Sequence, residues 1–171
     1  MNLVAELQKR HSLASRNRMI RYVGADKKRF EELVTIFLGD NYRLTQWAGW
    51  PLSNIVRNHP DLIKPYLRSM LKSVDRPNIH VAVKRNVMRL LQFIEIPKTL
   101  RGLAFDTAFK LFTTADEPVA VKVFAMQIAA DVAMLEPELK NEVILAIEQD
   151  YPYGSGAYRS RARNVLKMLK K

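Results

Sequence analysis

Apolar and polar positions return along this chain at a fixed interval. The stretch VAVKRN at 81–86 reappears as VAVKVF at 119–124, 38 residues later. The register running through Gln46, Lys84, Lys122 and Arg159 has offsets of 38, 38 and 37. Three residues beyond it the chain reads Gly49, Val87, Ala125, Ala162; six beyond, Leu52, Leu90, Ile128, Val165; ten beyond, Val56, Ile94, Val132, Leu169. Steps of three, three and four stack side chains on one face of a helix, so these columns predict the buried stripe of four equivalent helices. A helical stripe recurring at a fixed period of this length predicts a stacked array of helix pairs.

Punctuation supports the same periodicity. Pro60, Pro97 and Pro137, in HPDLI, IPKTL and EPELK, are expected to open helices, because the first turn has no use for the missing N–H. Inward-facing residues follow at Tyr66 and Leu67, Leu103 and Ala104, Val143 and Ile144. Asp75, Asp116 and Asp150 mark the turn after these helices, and Asp40 holds the same place in the preceding unit. Earlier in the chain, 3–23 reads as one capping helix closed by Gly24, 26–38 as the next helix, and 41–58 as a helix kinked at Pro51. The expectation is a single all-α domain over residues 1–171: about four helical hairpins and an N-terminal capping helix, coiled as an α-α superhelix.

Composition narrows the function classes. With no cysteine, the chain has no disulfide, thiolate metal site or cysteine nucleophile, and a cytoplasmic location is expected. The N-terminal MNLVAELQKR shows no secretory pattern, and the richest apolar stretch, 123–135, is interrupted by Gln127 and Asp131, so no membrane span is expected. His11, His59 and His80 fall in different units without carboxylates at ligand spacing, so neither a metal nor a cofactor is expected. No serine or threonine occupies a nucleophile motif; the chain reads as a non-enzyme. Net charge is +11, and fourteen of the 28 lysines and arginines lie in the N-terminal segment and the last turns, which favours anionic partners.

The turn aspartates, the basic residues Lys84, Lys122 and Arg159 six to nine positions after the last three of them, and the small or apolar residue three further on resemble the HEAT and armadillo repeat family over roughly residues 26–171. Gln46 departs from the basic column and breaks any aspartate-to-base ladder there. The resemblance implies that the second helix of each pair faces a concave surface. On that face the register places Trp47, Asn54 and Arg57; Arg85, Arg89 and Gln92; Gln127; and Ser160, Asn164 and Lys167. Trp47, Trp50, Arg85, Arg89, Gln92, Gln127 and Lys167 are the candidate binding residues for a protein or peptide partner.

Two other readings stand beside that one. Arg85, Arg89 and the terminal basic clusters are suited to phosphate contacts, with Trp47 or Trp50 stacking on a base, although the same charges equally make an ordinary solvated face. HEAT-like alkylpurine DNA glycosylases share the architecture, and Trp47, Trp50, Asp40 and Arg85 are the residues here that could imitate their DNA-engaging set. The two tryptophans, three apart, pack more simply against the capping helix. A second candidate site is the loop YGSGAYRSR, in which Gly154, Ser155, Gly156, Arg159 and Arg161 could hold an anion at a helix start. The plainer reading is a glycine turn with a serine cap.

Overall fold

Short polar side chains start most of the early helices, and each does so by accepting an orphan N–H. The computed structural model describes residues 1–9 and 12–171 and contains ten α-helices among them. They fall into two compact units, Met1–Ile94 and Glu95–Lys171.

The first unit holds α1 (Leu3–Gln8), α2 (Leu13–Val23), α3 (Lys27–Phe37), α4 (Tyr42–Asn58), α5 (Leu67–Ser73) and α6 (Val81–Leu91). Asn2, Ser12, Asp26, Asn41 and His80 cap α1, α2, α3, α4 and α6 through side-chain acceptors. Gly24 ends α2 at φ 48°, a backbone conformation that a side chain would strain. The capping segment is therefore two helices rather than the single one expected. Ser12 accepts the N–H of Ser15 at 3.1 Å, which starts a fresh helix where a continuous one would need Ser12 in its interior.

Residues Pro60–Tyr66 form a 3-10 turn ahead of α5 rather than the start of an α-helix. Pro65 has no N–H to return to Asp61, so the α-helical ladder cannot be laid down across this stretch. By contrast α4 runs unbroken through Pro51. Just beyond it, Ser53 and Asn54 donate from their side chains to the carbonyls of Gly49 and Trp50, at 2.8 and 2.9 Å.

The second unit pairs α7 (Lys98–Thr113) with α8 (Val119–Leu135) and α9 (Lys140–Asp150) with α10 (Gly156–Leu169). Pro97 and Pro118 precede α7 and α8 in extended conformations, and Pro137 opens a 3-10 turn before α9. Helix α8 packs on both α7 and α10, which explains a sequence nearly free of charge: Val121, Ala125, Ile128, Ala129 and Val132 are fully covered.

The periodic columns are the core. Leu52, Leu90, Ile128 and Val165 are all buried, as are Gly49, Val87, Ala125 and Ala162. In the last column Val56, Val132 and Leu169 are buried and Ile94 is half-buried. Each unit is thus built from helix pairs whose second members supply the buried stripe. Covering one such aliphatic side chain contributes about 1.5–3 kcal/mol.

Candidate functional site

The opposite stripe of the second helices decides what is left for a partner. In the first unit, α6 presents Arg85 and Arg89 four residues apart, both half-buried, followed by half-buried Gln92. Neither guanidinium has a carboxylate partner among the described residues. Gln92 Nε2 is covered and makes no hydrogen bond. On α4, Trp47 and Asn54 are half-buried, Pro51 is buried and Arg57 is exposed. The Arg57 guanidinium stands 5.6 Å from the centre of the Phe93 ring, which ties the end of this stripe to the segment after α6.

Trp50 has a different assignment. The Arg16 guanidinium of α2 lies 4.3 Å from its ring centre, so this tryptophan anchors the capping segment to α4, the plainer of the two readings available from sequence. Asp40 is likewise in use: Arg76 donates to its carboxylate at 2.8 Å and to the Leu38 carbonyl at 2.7 Å. Two members of the set Trp47, Trp50, Asp40 and Arg85, namely Trp50 and Asp40, are accordingly engaged in separate contacts. His80 caps α6 through Nδ1, His59 is exposed at the end of α4, and His11 lies outside the described residues.

In the second unit the corresponding stripe is bonded internally. Arg161 donates to Gln127 Oε1 at 2.8 Å, and Gln127 donates from Nε2 to Asp131 at 2.8 Å, a chain that joins α10 to α8. Burial raises the Asp131 pKa above the usual aspartate value, against the opposing effects of Gln127 and Arg161. Ala130 and Ala133 are buried, and Lys167 and Asn164 are exposed.

The glycine loop before α10 behaves partly as expected. Ser155 caps the helix by accepting the Tyr158 N–H at 3.3 Å. Gly154 lies flat against the Tyr158 ring, where a Cβ would come within 2.5 Å of Cδ1. Gly156 begins the helix in open space. Arg159 is exposed, and Arg161 is turned to Gln127. What the loop does line, within this unit, is a cavity of about 390 Å³ whose charged walls are Glu117, Lys122 and Asp150. The sequence had marked Lys122 and Asp150 as members of repeating columns, but nothing in one dimension brings them to Tyr158.

A model of the HEAT repeat domain family matches residues 3–169. The chain belongs to the HEAT repeat family. Neither the curated proteins nor the solved structures contain a match to it. Family membership makes the chain a helical-repeat scaffold of the kind that mediates protein interactions, and HEAT repeat proteins are generally non-enzymatic. No helix among the described residues is long and apolar enough to cross a membrane. Nor do three or more His, Asp or Glu side chains gather there as a metal site would require.

Proposed function

We propose that this HEAT repeat protein is a non-enzymatic, cytoplasmic scaffold, one repeat domain over residues 1–171, that binds a protein or peptide partner along the exposed stripe of its second helices. The observation that carries the reading is the pair Arg85 and Arg89: half-desolvated, one helical turn apart, and without a carboxylate partner among the described residues. Arginines and aromatic groups in partly dry settings are the side chains that dominate protein interfaces, and a carboxylate-bearing partner satisfies both guanidiniums. Trp47 supplies a neighbouring aromatic on α4, and Gln127 and Lys167 are the polar contacts of the second unit.

Nucleic acid is the second reading, favoured by the net charge of +11. Against it, the stripe of α8 offers Val123, Ala130 and Ala133 where a phosphate track needs cations. Capture of partners from native extract, with and without nuclease, tests the choice. A protein retained by wild type after nuclease treatment and lost from Arg85→Ala/Arg89→Ala supports the scaffold. Equal capture by that variant removes this face from the reading. Retention on DNA that disappears between low and moderate salt, with no nuclease-resistant protein bound, transfers the assignment to nucleic acid.

A further inference from the structure

Helices α4 and α6 of the first unit lie side by side and run in the same direction. Three contacts fix their register. The Tyr42 and His80 rings stand 5.5 Å apart at the start, Asn86 fills the space beside Gly49 in the middle, and the Arg57 guanidinium is 5.6 Å from the Phe93 ring centre at the end. Equivalent positions of the two helices therefore look the same way, and their outer stripes make one face, with Trp47, Asn54 and Arg57 on α4 and Val81, Arg85 and Arg89 on α6.

The charge on this pair of helices has one sign. Arg43, Arg57, Lys84, Arg85 and Arg89 lie on them, and neither helix contains an aspartate or glutamate. Arg85 and Arg89 have no hydrogen bond or ion pair among the described residues. Like charges four residues apart on a helix repel, so the free face carries a strain that an acidic ligand relieves. Down α6 the open positions follow at one per turn: Val81, 37% exposed, then Arg85 and Arg89, both half-buried. The two arginines are separated by about 6 Å along the helix axis. A ligand helix matches that rise with carboxylates at i and i+4, and an extended ligand with i and i+2. The described residues contain no strand, so an extended ligand finds no sheet edge for its backbone, whereas a helix satisfies its own N–H and C=O groups.

We propose that the face of α4 and α6 takes an acidic α-helix of a protein partner, with carboxylates at i and i+4 seated on Arg85 and Arg89. An apolar side chain one turn further on covers Val81. The inference rests on the scaffold reading and gives its partner a form. Nucleic acid would meet the same cations but would set a charged backbone against Val81.

The test titrates the full chain into three fluorescein-labelled, alanine-based helical peptides and follows anisotropy. The first carries leucine and two glutamates in successive turns, at i, i+4 and i+8. The second has the same residues with the glutamates two apart, on different faces, and the third has glutamine for glutamate. The first is expected to bind, and the other two to be weaker by about tenfold. Arg85→Gln and Arg89→Gln should each weaken the first peptide by about fivefold to tenfold, and Arg89→Lys by less. Lys27→Gln on α3 removes the same charge elsewhere and should change it by less than about twofold. Arg89→Lys keeps the charge and the helix, so it carries the test if a glutamine variant unfolds. Equal binding of the two glutamate arrangements, with the arginine dependence retained, overturns the helix and leaves the scaffold stripe standing. Binding indifferent to Arg85→Gln and Arg89→Gln, an equal loss in Lys27→Gln, or no binding of the first peptide overturns the inference, and capture by Arg85→Ala/Arg89→Ala then decides the scaffold separately. A DNA duplex bound more tightly than the first peptide at physiological salt, or self-association that Arg85→Gln abolishes, also overturns it by giving the face another occupant.

Discussion

Asn86 on α6 occupies the space that a side chain at Gly49 on α4 would need: a Cβ added there would lie 2.6 Å from Asn86 Cγ. The two helices of neighbouring pairs approach this closely because the periodic column that holds Val87, Ala125 and Ala162 elsewhere holds glycine in α4. Both sites are buried, so Asn86 has little room to withdraw. Gly49→Ala should therefore destabilise the protein by about 1–3 kcal/mol through overpacking. Combining it with Asn86→Ala should cost less than the sum of the two single changes, since the second change empties the space the first one needs. Urea unfolding of the four species checks this, and strict additivity would show that the helices separate elsewhere.

Acid should loosen the N-terminal pair of helices before the rest. Glu6, 3% exposed on α1, is held by Lys9, by Arg18 Nε at 2.8 Å and by Ser15 Oγ at 3.1 Å. These partners, Lys9 and then Arg18 foremost, lower its pKa from 4.5 to about 2. A carboxyl whose folded pKa is depressed adds stability above its unfolded value and loses it as pH falls through the folded one. Glu6→Gln should be less stable than wild type at pH 7, and the difference in Tm should narrow as pH falls from 4.5 toward 2. A gap that stays constant over that range would mean the ionised form contributes nothing.

The repeat was legible because burial is periodic: small or apolar residues in every column, in phase, are a signal no local irregularity erases. Local hydrogen bonding was less so. The break in the capping segment depends on whether Ser12 points back to the Ser15 N–H or out to solvent, and both are compatible with the same letters. Pro60 announced a helix start, but Pro65 five residues on, with no N–H to give, turned the stretch into a 3-10 turn. The basic pair Arg85 and Arg89 could be placed on one face from spacing alone. The cavity in the second unit could not, because its lining residues Lys122, Asp150 and Tyr158 come from three different helices.

The two tryptophans should separate in their response to a single change. Arg16, on α2, covers Trp50 at 4.3 Å. Removing the guanidinium with Arg16→Ala should cost about 0.5–1 kcal/mol and expose the Trp50 ring, with red-shifted, more readily quenched fluorescence. In Trp50→Phe, where Trp47 alone reports, the same Arg16 change should leave the emission unaltered. If emission shifts equally in both backgrounds, α2 is held by more than this contact.

At Asp131 the sign of the pH effect is reversed from that at Glu6. Its carboxylate accepts from Gln127 at 2.8 Å and feels Arg161, but burial outweighs both and raises its pKa above 3.8. A group with a raised folded pKa favours the fold when protonated, below its unfolded value, and opposes it as pH rises through the folded pKa. Asp131→Asn keeps an acceptor for Gln127 while removing the charge, so it should raise Tm at pH 7 and lose that advantage below about pH 3.8. Arg161 would then keep its bond to Gln127 at 2.8 Å without a carboxylate behind it. A variant less stable than wild type at pH 7 would show that the ionised Asp131–Gln127–Arg161 chain holds α8 to α10 more strongly than its desolvation opposes.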